Sequence, residues 1–178
     1  MALFYLVRHG ETDWEMTIRN NLVGLQQDFV PLTERGKLQA SRAADSPRLE
    51  NASLMLSSPY TRALETAALM NMKLQLPLSV EFYLHELLPD KQRRAWEVEK
   101  TLEICRDFDQ HCGRYPEGAT PTPCWESLAM GRERALNVLS AYKTYDKVIV
   151  VCHEKLIKSL VGWRDIEHCE IIEYCLTE

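Results

Sequence analysis

Val148-Ile149-Val150-Val151 is a run of four β-branched residues with no polar residue between them. A strand that wets one face alternates apolar with polar residues, so this run reads as a strand covered on both faces. Four other apolar runs have strand length: Leu3 to Val7, Leu54 to Leu56, Leu78 to Phe82 and Ile171 to Leu176. Helical stretches lie between them. Ser58-Pro59 offers an N-cap hydroxyl followed by proline at the first helical position, and Thr122-Pro123 repeats the arrangement near the next long helix. From Trp125, the positions Leu128, Ala129, Leu136 and Leu139 recur at helical spacing. A second amphipathic segment covers about Arg94 to Gln110, with Val98, Leu102 and Cys105 along one side. His111 to Pro123 holds three of the eight prolines and two glycines and reads as a loop. Strands alternating with helices predict an α/β fold, a three-layer α/β/α arrangement around a mainly parallel central sheet.

The chain of 178 residues, 46% hydrophobic and 26% charged, fits one domain over 1–178, without internal repeats or a long polar linker. Its formal net charge of -5 gives no overall attraction for nucleic acid or an anionic membrane, so an anion site must be a local cluster of bases. No apolar stretch approaches the roughly 18 residues that span a bilayer. Met1 to Val7 has no basic segment before it and is cut short by Arg8, so neither signal peptide nor anchor is expected, and the predicted location is cytoplasmic. The six cysteines include no CxxC pair and sit mostly in apolar segments, as reduced, buried thiols do. A zinc site from Cys112, Cys124, His111 and His168-Cys169 is the alternative, with irregular spacings.

In parallel sheets, ligands bind beyond the carboxyl ends of the strands, so the residues that follow each strand are the ones to inspect. After the first strand comes Arg8-His9-Gly10-Glu11-Thr12, a base, an imidazole and a flexible glycine. The second strand leads into Ser57-Ser58-Pro59-Tyr60-Thr61-Arg62, with Arg62 in the first turn of the helix. There a phosphate would meet unpaired backbone N–H groups and a guanidinium that binds two oxygens at once. The alternative is a surface arginine pairing with Glu65 or Glu11. The last buried strand ends at His153, so two arginines and two histidines are directed to one crevice.

Leu6-Val7-Arg8-His9-Gly10-Glu11-Thr12 with Trp14, the Ser-Ser-Pro-x-x-Arg-Ala-x-x-Thr-Ala pattern at 57–67, and His153 after its strand resemble the histidine phosphatase superfamily, the phosphoglycerate mutase-like fold. The likeness continues through Pro31-Leu32-Thr33-Glu34-Arg35-Gly36 with Gln39-Ala40, Leu84-His85-Glu86, and Glu126-Ser127 with Arg134. The resemblance implies a histidine acid phosphatase-type phosphoric monoester hydrolase. In it His9 would become phosphohistidine, Arg8, Arg62 and His153 would hold the phosphoryl oxygens, and Glu86 would be the general acid. Neither metal nor cofactor is implied. A neutral imidazole is nucleophilic near neutral pH, and nearby cations oppose its protonation. Glu86 must be protonated to act as an acid, which requires burial to outweigh the arginines. Its alternative is a surface carboxylate pairing with Lys91 or Arg93.

Departures from the family's pattern bear on substrate. Glu15 stands where asparagine is usual, with Asn20 or Asn21 as possible replacements, and Glu154 stands where glycine is usual. Facing the pocket, Glu15 and Glu154 would offset its positive charge and favour a leaving portion that is cationic or weakly charged. Facing solvent, they would do neither. The family's glycine-tryptophan-glutamate pattern is displaced to Ala95-Trp96-Glu97. A small cap over about 84–126 includes Lys91, Gln92, Arg93 and Arg94, a run that could meet a second acidic group on substrate or simply be solvated. The preferred reading is a phosphatase acting on a phosphorylated small molecule, with a phosphoprotein as a further possibility. A mutase-type phosphotransferase and a non-catalytic anion-binding or regulatory protein are the alternatives.

Overall fold

The computed structural model describes residues 2–94 and 97–176, which leaves Ala95 and Trp96 of the displaced pattern outside the described residues. The five apolar runs form strands β1 (Leu3–Arg8), β2 (Leu54–Ser57), β3 (Leu78–Val80), β4 (Lys147–Cys152) and β5 (Ile171–Cys175) in the sheet order β3-β2-β4-β1-β5. β4 lies at the centre, parallel to β1 and β2, and β3 continues the parallel set. Only β5, on the far edge, is antiparallel. β3 stops short of the predicted Phe82, because the chain tightens into a 3-10 turn over Phe82–Leu84.

Strands β1, β2 and β4 each feed two cores. Val148, Val150 and Cys152 join Phe4, Leu6, Leu54 and Leu56 on one face, while Ile149 and Val151 join Tyr5, Val7 and Met55 on the other. Helices α2 (Glu34–Ala43) and α3 (Thr61–Leu74), which follow the short α1 (Trp14–Arg19), cover the second face through Ala40, Ala63, Ala67 and Met70. Helices α4 (Val98–Gln110), α5 (Leu128–Ala141) and α6 (Glu154–Val161) cover the first through residues such as Phe108, Leu139 and Leu156. The fold is therefore the three-layer α/β/α arrangement, and the unalternating run is buried because both faces carry helices.

Local details differ from the sequence reading. Helix α3 begins at Thr61, past Ser58-Pro59, and its N-cap Tyr60 makes no side-chain cap bond. Helix α5 begins at Leu128, not beside Thr122-Pro123, because Ser127 caps it by accepting the Met130 N–H at 3.3 Å. On α4 the inward residues are Ile104 and Phe108, while Leu102 is exposed. Phe108 sets that rotation by packing edge-on against Trp125, ring centroids 5.1 Å apart. On α5, Ala129 is exposed, and Gly131, Ala135, Val138 and Leu139 turn inward. The six cysteines are free thiols, but only Cys152 is fully buried, and Cys112 and Cys175 are exposed. Among the described residues no three His, Cys, Asp or Glu side chains gather as a metal site, and the zinc grouping does not form. No helix among them is long and apolar enough to cross a membrane.

Strand register decides what gathers at the carboxyl edge. Arg8 lies opposite Cys152, and Ser57 lies opposite Val151. The ladder continues one residue further, with the His9 N–H donating to the Cys152 carbonyl at 3.0 Å and the Ser58 N–H to the Val151 carbonyl at 2.9 Å. His9, Ser58 and His153 thus leave the sheet side by side.

Candidate active site

The turn after β1 is built on backbone contact. A Cβ on Gly10 would lie 2.6 Å from the Gly36 carbonyl oxygen, and one on Gly36 would lie 2.2 Å from that of Glu11. Gly10 is required for this close approach rather than for flexibility. Its N–H donates to Thr66 Oγ1 at 3.0 Å, and that hydroxyl donates to the Arg62 carbonyl at 2.7 Å, so the turn is tied to α3. Thr33 caps α2 by accepting the Gly36 N–H at 2.9 Å.

His9 is buried, with Nδ1 2.7 Å from the Gly10 carbonyl oxygen. A carbonyl only accepts, so Nδ1 carries the hydrogen and Nε2 is left with its lone pair. That lone pair accepts from Arg62 Nε at 3.3 Å. Burial, then the Arg62 guanidinium, hold the His9 pKa well below the ordinary 6.5. Arg62 sits in the first turn of α3 as predicted, buried between the rings of Trp14 and Tyr60, 5.3 and 5.0 Å from their centroids. Its alternative partners are engaged elsewhere: Glu65 accepts the Leu32 N–H at 2.7 Å, and Glu11 pairs with Arg35 at 3.1 Å.

His153 is completely buried, its ring centroid 5.2 Å from that of His9, and Nε2 lies 2.7 Å from Ser58 Oγ. Burial, then Arg62, lower its pKa well below 6.5. Arg8 donates from Nη1 to the Ile166 carbonyl and pairs through Nη2 with Glu154 at 3.0 Å. Three buried nitrogens have no partner among the described residues: Arg8 Nε, Arg62 Nη1 and His153 Nδ1. Buried polar groups are nearly always paired, so three unpaired nitrogens on the residues around one imidazole mark a site suited to an anion.

Glu86 differs from the sequence reading. It is half-buried at the N-terminus of α6, with Oε1 accepting the N–H groups of Leu87 (2.8 Å) and Leu156 (3.1 Å) and Oε2 that of Lys155 (3.2 Å). The carboxyl is thus held by backbone N–H groups at a helix N-terminus, in polar rather than apolar surroundings. No pairing with Lys91 or Arg93 forms: Lys91 donates to Tyr115 and the Pro123 carbonyl instead. The loop bearing Glu86 is pinned from behind. Arg134 meets Glu126 with two nitrogens, at 2.6 and 3.1 Å, and also donates to the Tyr83 carbonyl, while Glu126 accepts the Leu88 N–H at 3.0 Å. Glu126 and Arg134 thereby act on the position of Glu86.

His9, Arg8, Arg62 and Glu86 line a common cavity of about 240 Å³. Glu154 also lines it, whereas Glu15 is exposed beside Arg19, so one of the two acidic departures faces the pocket and the other faces solvent. Asn20 and Asn21 are exposed, and the amide in the cavity wall is that of Gln27. Asp28 and Tyr60 line the wall too, and no motif singled them out. The Asp28 pKa is pushed up by burial against the opposing pull of Arg62 and Arg93. His168, 6.0 Å from the His9 ring, was equally unmarked by any motif of the site, because only the return of the chain after α6 brings it there. Of the basic run, Arg94 pairs with Asp90 at 2.5 Å, and Arg93 lines a small outer chamber that shares Asp28 and Tyr60 with the main cavity.

Comparison with known proteins bears on the family and the fold. The pattern of the histidine phosphatase superfamily (branch 1) matches residues 4–170. The chain is 26% identical to the uncharacterized phosphatase PhoE of Bacillus subtilis, over 99% of this chain and 87% of that protein. It is 27% identical to the adenosylcobalamin/alpha-ribazole phosphatase of Escherichia coli, over 89% of this chain and 76% of that one. The solved structure of a mycobacterial glucosyl-3-phosphoglycerate phosphatase superposes with a TM-score of 0.72 at 20% identity, covering 97% of this chain and 90% of its own, and shares the fold.

Proposed function

The chain belongs to the histidine phosphatase superfamily, branch 1, and from that premise we propose that it hydrolyses a phosphomonoester through a phosphohistidine on Nε2 of His9. The observation that carries this reading is a buried, neutral His9 whose Nε2 carries a lone pair met by Arg62 Nε, beside three unpaired buried nitrogens. The Nε2 lone pair forms the N–P bond as the bond from phosphorus to the leaving oxygen breaks. Arg8, Arg62 and His153 hold the other phosphoryl oxygens, where charge spreads in the transition state. Glu86 supplies a proton to the leaving oxygen and takes one from the water that then breaks the N–P bond. Because it stands as an acceptor of three N–H groups, carrying a proton requires one oxygen to exchange an N–H contact for the reacting group. A nucleophile neutral below 6.5 suits activity on the acid side, as a histidine acid phosphatase type would have.

The substrate is a phosphorylated small molecule. Glu154 and Asp28 in the wall favour a leaving portion that is cationic or weakly charged, and this is the part that Glu154 plays in selectivity. Turnover of p-nitrophenyl phosphate and a panel of phosphoesters by the wild type, lost to background in His9→Ala while inorganic phosphate still binds, is the expected result. Turnover that survives His9→Ala overturns the reading.

A further inference from the structure

We propose that Ser58 is a positioning residue that fixes the proton of His153 on Nδ1 and so makes that ring a donor to the phosphoryl oxygens; this rests on the phosphohistidine reading above. Ser58 is fully buried, and its Oγ lies 2.7 Å from His153 Nε2. The same oxygen accepts the Tyr60 N–H at 3.3 Å. A serine hydroxyl has one proton to give, and the acceptor it meets among the described residues is His153 Nε2. If Nε2 carried the hydrogen instead, Ser58 Oγ would accept two N–H groups and its own proton would be stranded in the core. Nδ1 would then direct a lone pair at an incoming anionic oxygen. With the hydroxyl donating to Nε2, the Ser58 proton and the Nε2 lone pair are matched, and the hydrogen lies on Nδ1, the nitrogen that has no partner among the described residues.

The proton's position matters because His153 is held neutral by burial and Arg62, and a neutral ring has a single N–H to offer. His9 obeys the same logic with the opposite result. The Gly10 carbonyl keeps hydrogen on its Nδ1, so Nε2 carries the lone pair, which Arg62 Nε meets at 3.3 Å. Two rings 5.2 Å apart therefore hold the same tautomer, one exposing a lone pair for attack and the other an N–H for binding. The Ser58-Pro59 pair, which reads in sequence as a helix cap, is used for this instead.

The test is the 15N NMR spectrum of histidine-labelled protein, with His153 assigned by loss of its signals in His153→Asn. The wild type is expected to show His153 protonated on Nδ1. Ser58→Ala should move the proton wholly or partly to Nε2 and lower kcat/KM by about 10–100-fold, the range found when the outer partner that orients a metal-bound imidazole is lost. Ser58→Thr, which keeps the hydroxyl, should restore the wild-type tautomer and most of the rate. A wild-type ring protonated on Nε2 overturns the proposal, and that spectrum decides even if Ser58→Ala does not fold. Unchanged tautomer or unchanged kcat/KM in a folded Ser58→Ala overturns it too. Either failure leaves intact the His9→Ala result, which alone decides the phosphohistidine reading.

Discussion

At the scale of single residues, Glu154 occupies Arg8, one of the residues proposed to hold phosphate. Its carboxylate lies 3.0 Å from Arg8 Nη2 and also pairs with Lys158. Both groups of the Arg8 pair retain some solvent contact, which screens the interaction to about 1 kcal/mol. Glu154→Gly should therefore tighten inorganic phosphate inhibition by roughly fivefold, whereas Glu15→Asn, an exposed site, should leave it unchanged. Competitive inhibition constants for the two variants check this, and equal effects would return both residues to one role. Glu86→Gln should lower kcat by about 10²–10⁴ for alkyl esters. The loss should be much smaller for p-nitrophenyl phosphate, whose phenolate departs without a proton. Equal losses for both substrates would remove Glu86 from the proton-transfer role.

At the scale of elements, two devices hold the site, one a side-chain ion pair and the other a close backbone approach. The Glu126–Arg134 pair, 6% and 13% exposed, fastens the loop between the Phe82–Leu84 turn and α4 to the start of α5. Arg134→Met leaves a buried carboxylate without its cation, a change that costs about 3–5 kcal/mol. It should lower the melting temperature and, by loosening Glu86, lower kcat on alkyl esters more than on p-nitrophenyl phosphate. The other device is the meeting of Gly10 and Gly36. Gly36→Ala would press a methyl against the Glu11 carbonyl, so the loop after β1 must shift, at a cost of about 1–3 kcal/mol. Urea unfolding should show a lower midpoint with an unchanged slope. A midpoint equal to wild type would mean that the first turn of α2 yields freely.

At the scale of the whole molecule, four histidines are buried or half-buried with lowered pKa: His9 and His153 strongly, His85 and His168 less, each chiefly by burial. As pH falls below the ordinary 6.5, the unfolded chain takes up protons that the folded one refuses. The stability present above 6.5 is thus lost as pH falls through the window towards the lowered folded values. Melting temperatures measured from pH 7.5 to 5 should decline, and His153→Gln should flatten the decline; a rise on acidification would contradict the assignment. The three layers, the nearly parallel sheet and the gathering of Arg8, His9, Arg62 and His153 were legible in the chain, because strand burial and edge position follow from short local runs. Helix starts, the inward face of α4, the Ser58–His153 contact, the backbone acceptor set of Glu86 and the nearness of Asp28 and His168 to the site were not. The sequence by itself determined which residues follow each strand, since side-chain pattern and strand length are local. Only the tertiary structure decided which nitrogen meets which oxygen, because Ser58 and His153, or Glu86 and the N-terminus of α6, are far apart in the chain and meet only where packing brings their backbones together.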